Sequence, residues 1–320
     1  MPAPAPPARS LAPPDPKVSL WIRRELAAAP PRAPSLIITV WGDAIAPHGG
    51  AAMLPGIIDR LAPFGINERL VRTSVFRLAR EGWLKATPIG RRSLYRLTRD
   101  GARRFEQAYR RIYAPPVEGW DDTWELVIAD RPAAAKRRAL KQELQWEGFG
   151  MLASGVFARP ATAPSAVPRI AAALHIERDL MLVRARDDAS LGGRTLASLG
   201  PDAWDLAGLA GSYRRFLLRF GRVIDRFRLA RKSARDPAQA FIVRTLLIHA
   251  YRRVLLRDPQ LPPELLPLDW PGAAAYALCR DFYRLTHRAA ERHVLATLQD
   301  ARGTLPPASP PFYRRFGGLA

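Results

Sequence analysis

Hydrophobic residues recur every three or four positions in three successive stretches of the N-terminal third of the chain, which predicts three amphipathic helices. The first begins near Ser35, although residues 37–40 are also compatible with a strand. The second includes Met53 on its apolar side. The third has the clearest limits, because Asn67 is a favourable N-cap and Gly82 a favourable terminator.

Two strand-like runs follow the third helix, at residues 83–87 and 93–98, and a basic turn joins them. A helical pattern from 99 to 112 closes the segment. Three helices, a hairpin and a closing helix in this order are typical of a winged helix-turn-helix domain, in which one helix enters the major groove of DNA. We therefore predict such a domain at residues 35–115.

The third helix has one apolar face and one cationic face. Val71, Val75 and Leu78 lie on the apolar face, and we expect Phe76, on the other side, to pack beneath the hairpin. Arginine binds guanine through two hydrogen bonds and threonine contacts the thymine methyl group, so this helix and the hairpin tip are suited to DNA. The predicted base contacts are Arg72, Thr73 and Arg77, and the predicted backbone contacts are Arg69, Arg80, Arg91 and Arg92.

The middle of the chain, residues 120–190, changes to short strands separated by helices. The order is β-α-β-β-α-β, which is that of the ferredoxin-like fold. Asp130 follows the first of these strands and could in principle bind a metal ion. A lone carboxylate is more often a turn or capping residue, so we predict no metal site. The strands are predicted at 124–129, within 149–159 and at 179–185, and the helices at 134–146 and 167–174.

The two ends of the chain differ in composition. Residues 1–34 contain ten prolines and form a Pro/Ala-rich extension that we predict to be largely unstructured, with only residues 18–29 compatible with a helix. Residues 202–300 are helical in pattern almost throughout, so this α+β multidomain chain is expected to end in an all-helical domain. A hydrophobic stripe from Tyr213 to Phe227 is typical of a core or a subunit interface.

The charge of the chain points to a polyanionic partner. Its 320 residues include 50 Lys and Arg against 29 Asp and Glu, a formal net charge of +21. Residues 67–114 contain thirteen basic and four acidic residues, and residues 212–257 thirteen and two. Nucleic acid is the partner we predict, although membrane surfaces and phosphorylated ligands attract the same charge. The second basic region is either a solvated helix surface, an anion pocket or a further DNA contact.

The sequence gives no indication of catalysis, a cofactor or a membrane. No apolar run is long enough to span a bilayer and no signal peptide is recognisable, so we predict a cytoplasmic, nucleoid-associated protein. A single cysteine, Cys279, excludes an intramolecular disulfide, and the five histidines are scattered. The competing enzymatic hypothesis is a metal-dependent nuclease that uses the central domain.

Two runs of the sequence resemble a known family of regulators. Residues 246–272 resemble the C-terminal hallmark of the PaaX family, transcriptional repressors of phenylacetic acid catabolism, and residues 71–84 resemble that family's recognition helix. The resemblance implies a homodimer with a central domain similar to Cas2 and a helical effector and dimerisation domain at 202–300. It also implies that phenylacetyl-CoA releases the protein from double-stranded operator DNA. The alternative is a regulator of the same family that answers a different acyl-CoA or aromatic inducer.

An acyl-CoA effector would bring several phosphate charges to the second basic region, where arginines could hold them through paired hydrogen bonds. An aromatic residue would contact the acyl group or the adenine ring. The predicted phosphate ligands are Arg214, Arg219, Arg226, Arg252 and Arg253, and the predicted aromatic contacts are Tyr251 or Trp270.

Overall fold

The computed structural model describes residues 13–115, 119–129, 133–188, 193, 195–199, 203–231 and 235–319. They form two compact units. The first unit contains the described parts of Met1–Ala114, Leu217–Arg252 and Tyr276–Ala320, and the second those of Pro115–Phe216 and Arg253–Ala275. The segments for which the sequence predicts separate domains at 35–115 and 202–300 therefore share the first unit to a large extent.

The described part of the first unit begins with a helix in the segment that the sequence predicts to be largely unstructured outside residues 18–29. Helix α1 spans Pro16–Ala28, and the Asp15 carboxylate caps it by accepting a hydrogen bond from the amide of Lys17 at 2.8 Å. Val18 and Ile22 are buried on one side of it. The helix lies where the sequence is compatible with one, at residues 18–29, and begins two residues earlier, because its spaced apolar residues bury one face despite the prolines around them.

Three helices follow in the predicted order. Helix α2 spans Ala33–Val40 and continues into a π-helical turn, so the alternative of a strand at 37–40 is wrong. Helix α3 spans Leu54–Leu61, and helix α4 spans Glu68–Arg80 after the cap at Asn67. Both α2 and α3 pack against α4.

The sheet of the first unit has one strand more than the sequence predicts. Strand β1 spans Ala51–Met53, β2 spans Leu84–Ile89 and β3 spans Arg92–Leu97, paired antiparallel in the order β1-β3-β2. Met53 thus belongs to a strand and not to the second helix. Strand β2 is one residue longer than predicted and β3 begins one residue earlier, which leaves a two-residue turn in which Gly90 has a φ of 56°. Glycine adopts this positive φ without strain.

The second unit contains the predicted β-α-β-β-α-β order. Its four strands form one antiparallel sheet in the order β5-β6-β4-β7, and helices α6 and α7 cover the face that carries Val127 and Phe157. The other face carries Trp124 and Ala158 and packs against Trp204. The elements are β4 Trp124–Ile128, α6 Ala134–Trp146, β5 Gly150–Ala153, β6 Val156–Pro160, α7 Val167–Leu174 and β7 Met181–Ala185.

Four longer helices complete the two units. The predicted hydrophobic stripe from Tyr213 to Phe227 is buried. In the described part of the chain, no helix combines the length and the hydropathy needed to cross a membrane. These helices are α5 Arg99–Tyr113, α8 Leu206–Leu229, α9 Pro237–Leu255 and α10 Gly272–Thr297, and the chain closes with β8 Gln299–Asp300, β9 Gly303–Thr304 and the short helix α11 Pro310–Tyr313.

Candidate functional site

Helix α4 separates an apolar face from a cationic one, as predicted. Val71, Val75 and Leu78 are buried, and Ser74 is buried beside them. Phe76 is 61% exposed, so the prediction that it packs beneath the hairpin is wrong. Ala51 and Met53 of strand β1 cluster instead with Leu94 of the hairpin. The exposed residues of α4 include Arg69, Arg72, Thr73, Arg77 and Arg80, which we call the basic face.

Weak ion pairs hold two arginines of the basic face. Arg72 Nη2 lies 2.6 Å from Glu68 Oε1, and Arg77 Nε lies 3.3 Å from Glu81 Oε1. Exposed pairs of this kind contribute only about 0.3–0.5 kcal/mol, so a base edge or a phosphate can displace either carboxylate. The Thr73 hydroxyl donates to the backbone carbonyl of Arg69 at 2.9 Å.

The hairpin adds further exposed cations to the same unit. Helix α4 packs against β2, the strand that leads to the turn where Arg91 lies. Arg91 and Arg92 are exposed, and neither they nor Arg69 or Arg80 form an ion pair within the described ranges. A helix with an exposed cationic side and a hairpin with a cationic tip carry the charge to contact both base edges and phosphates.

A buried ionic cluster, formed by Asp43, Arg244, Glu291 and Arg315, lies inside the same unit. Arg244 bridges both carboxylates, with Nε 3.2 Å from Asp43 Oδ2 and Nη1 3.0 Å from Glu291 Oε1. Arg315 Nη1 lies 3.3 Å from Asp43 Oδ1. The guanidinium groups of Arg244 and Arg315 are both fully removed from water. Two buried cations and two buried carboxylates thus neutralise one another.

Hydrogen bonds complete the buried ionic cluster. The Tyr113 hydroxyl donates to Asp43 Oδ1 at 2.6 Å, and the Tyr283 hydroxyl donates to the same oxygen. His48 Nδ1 donates to the Pro306 carbonyl at 2.6 Å, and its Nε2 lies 2.8 Å from Glu291 Oε2. Burial opposes ionisation of Glu291, but the His48 hydrogen bond and the Arg244 charge lower its pKa below the ordinary value.

The buried ionic cluster connects the N-terminal segment to the C-terminal helices. Asp43 follows helix α2, which packs on α4, whereas Arg244 belongs to α9 and Glu291 to α10. Sequence reasoning did not find these residues. The available signal was Arg244, a lone charge within the otherwise apolar run at 240–248. A charge at such a position is tolerated only when a partner neutralises it.

Contacts inside the protein engage most of the predicted effector residues. Arg219 pairs with Glu25, Arg226 pairs with Asp15 at 3.0 Å, and Arg214 pairs with Asp269. Tyr251, Arg252 and Trp270 are also engaged, whereas Arg253 is exposed. Tyr251 is buried, Arg252 donates to the Ser35 hydroxyl at 3.1 Å, and Trp270 packs edge-on against Tyr213.

The predicted effector residues are divided between the two units. Arg214, Arg253 and Trp270 belong to the second unit, and Arg219, Arg226, Tyr251 and Arg252 belong to the first. Their assignment stays a prediction.

The second unit has a cleft that the sequence did not predict. Its volume is about 400 Å³. Trp146 contributes an exposed aromatic ring to it, Phe149 and Trp204 are buried in its wall, and Arg257 contributes a cation. Arg257 is exposed and forms no ion pair with any residue that the structure describes. The remaining lining residues are Gln142, Gln145, Ala203, Asp205, Leu206, Leu209, Leu256 and Pro259. The cleft thus combines an aromatic ring with one cation, Arg257, and one carboxylate, Asp205, which accepts a hydrogen bond from the Gly208 amide.

The lowered pKa of His293, in the first unit, predicts that the protein loses stability in acid. His293 contacts Arg60 and lies 5.3 Å from the ring of Phe241, and burial together with the Arg60 charge lowers its pKa to about 4. An unfolded histidine has a pKa of about 6.5, so only the unfolded chain takes up a proton between these values. Stability is therefore lost as the pH falls from about 6.5 towards 4.

We expect the His293→Gln variant to lose less stability than the unaltered protein when urea unfolding at about pH 7 is compared with that at about pH 5. His175→Asn is the matched control, because His175 is exposed and adopts a left-handed backbone that asparagine tolerates. Equal losses in all three proteins would show that His293 titrates normally.

The structure offers no metal centre within the described ranges. No group of three or more His, Cys, Asp or Glu residues among them lies close enough together to hold a metal ion. Asp130, which the sequence singles out as a candidate ligand, lies outside the described residues.

Comparisons with known proteins agree along most of the chain. Residues 32–101 match the family model "PaaX-like protein", residues 117–197 match "PaaX protein central Cas2-like domain", and residues 204–296 match "PaaX-like protein C-terminal domain". The transcriptional repressor PaaX of Escherichia coli (strain K12) is 33% identical over 305 residues, which cover 95% of this chain and 96% of that protein. A solved structure of the uncharacterized protein Rv0674 from Mycobacterium tuberculosis is 27% identical, with a TM-score of 0.53, and the match covers 80% of this chain and 96% of that one.

Proposed function

Because the chain belongs to the PaaX family, we propose that it is a transcriptional repressor whose N-terminal winged helix-turn-helix binds double-stranded operator DNA. The basic face of α4 is the observation that carries this proposal. This face exposes several arginines on a helix that packs against α2 and α3. The order of three helices, hairpin and closing helix supports the same domain type.

The proposed repressor acts as a homodimer. Two copies of α4 then lie in successive major grooves on one side of the duplex, about 34–36 Å apart, and read an imperfect palindrome. The dimer blocks transcription when such a palindrome lies in a promoter. Phosphate contacts from Arg69, Arg80, Arg91 and Arg92 supply affinity, and base contacts from Arg72, Thr73 and Arg77 supply specificity.

Release by an acyl-CoA effector, with phenylacetyl-CoA as the first candidate, completes the proposal. The cleft of the second unit is a better candidate for the aromatic acyl group than Tyr251, because Tyr251 is buried whereas Trp146 and Arg257 of the cleft are exposed. To free the operator, the effector must bind the DNA-incompetent conformation more tightly than the other, because equal affinity for both shifts no population. A different acyl-CoA or an aromatic acid would act by the same principle.

The proposal is tested by a gel-shift assay with the promoter region of the protein's own genomic neighbourhood. Salt is held constant, because phosphate contacts make the affinity depend on it. Phenylacetate, phenylacetyl-CoA and an aliphatic acyl-CoA are added separately. A specific complex that only phenylacetyl-CoA dissolves supports repressor and effector together. A complex that ignores all three ligands removes the effector, and failure to form any specific complex removes the repressor.

One prediction distinguishes the cleft from the effector residues that the sequence predicts. We expect Arg257→Ala to weaken phenylacetyl-CoA binding about tenfold or more, because it removes a charge-assisted hydrogen bond or ion pair. Tryptophan fluorescence titration measures the affinity. Arg253→Ala is the matched control, an exposed arginine four residues earlier that does not line the cleft. A larger loss in Arg253→Ala than in Arg257→Ala would move the effector away from the cleft.

The nuclease hypothesis has no supporting observation among the described residues. Incubation of labelled duplex DNA with Mg²⁺ or Mn²⁺ tests it directly, and time-dependent cleavage that follows the purified protein would revive it.

A further inference from the structure

One stripe of helix α8 is exposed although two of its residues are large and apolar. In the part of α8 that belongs to the first unit, Leu218 is 80% exposed and Leu229 is 79% exposed. Arg222 and Asp225 lie between them and are exposed as well. The spacing of four, three and four residues places all four side chains along one line of the helix, opposite the buried stripe that includes Phe220. We call these four residues the α8 stripe.

The two charged residues of the α8 stripe have few ion-pair partners within the described ranges. Arg222 forms no ion pair with the residues that the structure describes, while Asp225 holds only the exposed Arg228, at 3.0 Å on the same helix. A Cβ atom built on Gly221, beside the stripe, would meet nothing within 4 Å. The surface next to the stripe is therefore open and allows close approach of another helix.

The sequence of the α8 stripe complements itself when the helix meets a second copy in the antiparallel direction. A two-fold axis between the copies pairs each residue with one on the other side of the axis at equal distance along the helix. The register that sets Leu218 opposite Leu229 of the second copy also sets Arg222 opposite Asp225 of the second copy. Each contact occurs twice. The stripe thus joins leucine to leucine and cation to carboxylate in a single register.

Other occupants fit the α8 stripe less well. A parallel pair in register would place Arg222 against Arg222 and Asp225 against Asp225, which costs energy. A DNA backbone would meet the Asp225 carboxylate at the centre of the stripe and would leave both leucines in water.

We propose that the α8 stripe is a homodimer interface, in which two copies of α8 pack antiparallel with Leu218 against Leu229 and Arg222 against Asp225. The proposal rests on the homodimer of the proposed function and names the surface that forms it. Lone exposed leucines are common on proteins, but two of them in a self-complementary stripe are typical of a contact surface.

Charge reversal tests the register. Sedimentation equilibrium of the full chain without DNA gives the dimer dissociation constant. Arg222→Asp and Asp225→Arg each place like charges across the axis twice, and we expect each to raise that constant about tenfold or more. The double variant Arg222→Asp with Asp225→Arg restores both pairs with exchanged signs, and we expect it to return to within about threefold of the unaltered protein. A monomeric unaltered chain, unchanged single variants or a double variant as weak as the single ones would overturn the interface.

Cross-linking gives a second readout that does not depend on affinity. Leu218→Cys with Leu229→Cys should form covalent dimers with a short bis-maleimide, and Leu218→Cys with Leu268→Cys, at an exposed site of the second unit, is the control. The native Cys279 is fully buried and contributes no background. Cross-linking equal to that of the control would contradict the register.

The two proposals can fail separately. If the unaltered protein binds its operator and responds to effector while charge reversal leaves the dimer intact, the α8 interface is wrong and the repressor stands. If charge reversal follows the expected pattern but no operator complex forms, the interface stands and the repressor is wrong.

Discussion

Replacing Arg244 by alanine is expected to lower the free energy of unfolding by about 3–5 kcal/mol, which is the typical cost of removing one partner from a buried ion pair. Arg244 touches both Asp43 and Glu291 and has no access to water. Without it, two carboxylates share the site with Arg315 as their remaining arginine. Urea unfolding followed by circular dichroism measures the loss.

Two further variants make this result interpretable. Arg110→Ala removes an exposed ion pair with Glu106 and should cost no more than about 1 kcal/mol, since water replaces the partner. Arg244→Lys keeps the charge but cannot bridge both carboxylates, so it should fall between the two. If Arg244→Ala were as stable as Arg110→Ala, the carboxylates of the cluster would have to be hydrated or protonated.

Replacing Arg72 or Arg77 by alanine is expected to weaken operator binding by about 1–3 kcal/mol, or roughly tenfold to a hundredfold, and to leave binding of random duplex DNA almost unchanged. Both side chains project from the exposed side of α4, where only a surface carboxylate holds each of them. Competition gel shifts with operator and random duplexes at constant salt measure the ratio of the two affinities, and effector binding should be unaffected.

Arg80→Ala is the matched control on the same helix. Because Arg80 is a predicted phosphate contact, Arg80→Ala should weaken binding to operator and to random DNA to a similar extent. It should also reduce the salt dependence of binding by about one ion. The same uniform loss in Arg72→Ala and Arg77→Ala would show that these residues contact only the DNA backbone.

Local patterns were sufficient to predict most elements of this fold. Helix α4 keeps the limits set by Asn67 and Gly82, and helices α6 and α7 begin and end where their periodicity predicts. Asn67 caps α4, and the buried residues of α6 and α7 recur at helical spacing, so the local pattern is enough to locate these helices.

The errors occur where distant contacts decide the structure. Strand β1 is three residues long and exists because β3 pairs with it, and no local pattern reports a partner more than forty residues away. The same lack of distant information hid the buried ionic cluster and placed Phe76 under the hairpin. Arginine content predicted the second basic region, but it could not show that acidic residues of the N-terminal segment pair with Arg219 and Arg226.

The division of α4 into two faces also affects how such a regulator can evolve. Its buried side carries the packing against α2 and α3, whereas Arg72, Thr73, Phe76 and Arg77 have no part in the core. Surface substitutions of this kind usually change stability by no more than about 0.5 kcal/mol. A duplicated gene can therefore vary these positions almost freely, acquire a new set of target promoters and keep the rest of the molecule unchanged.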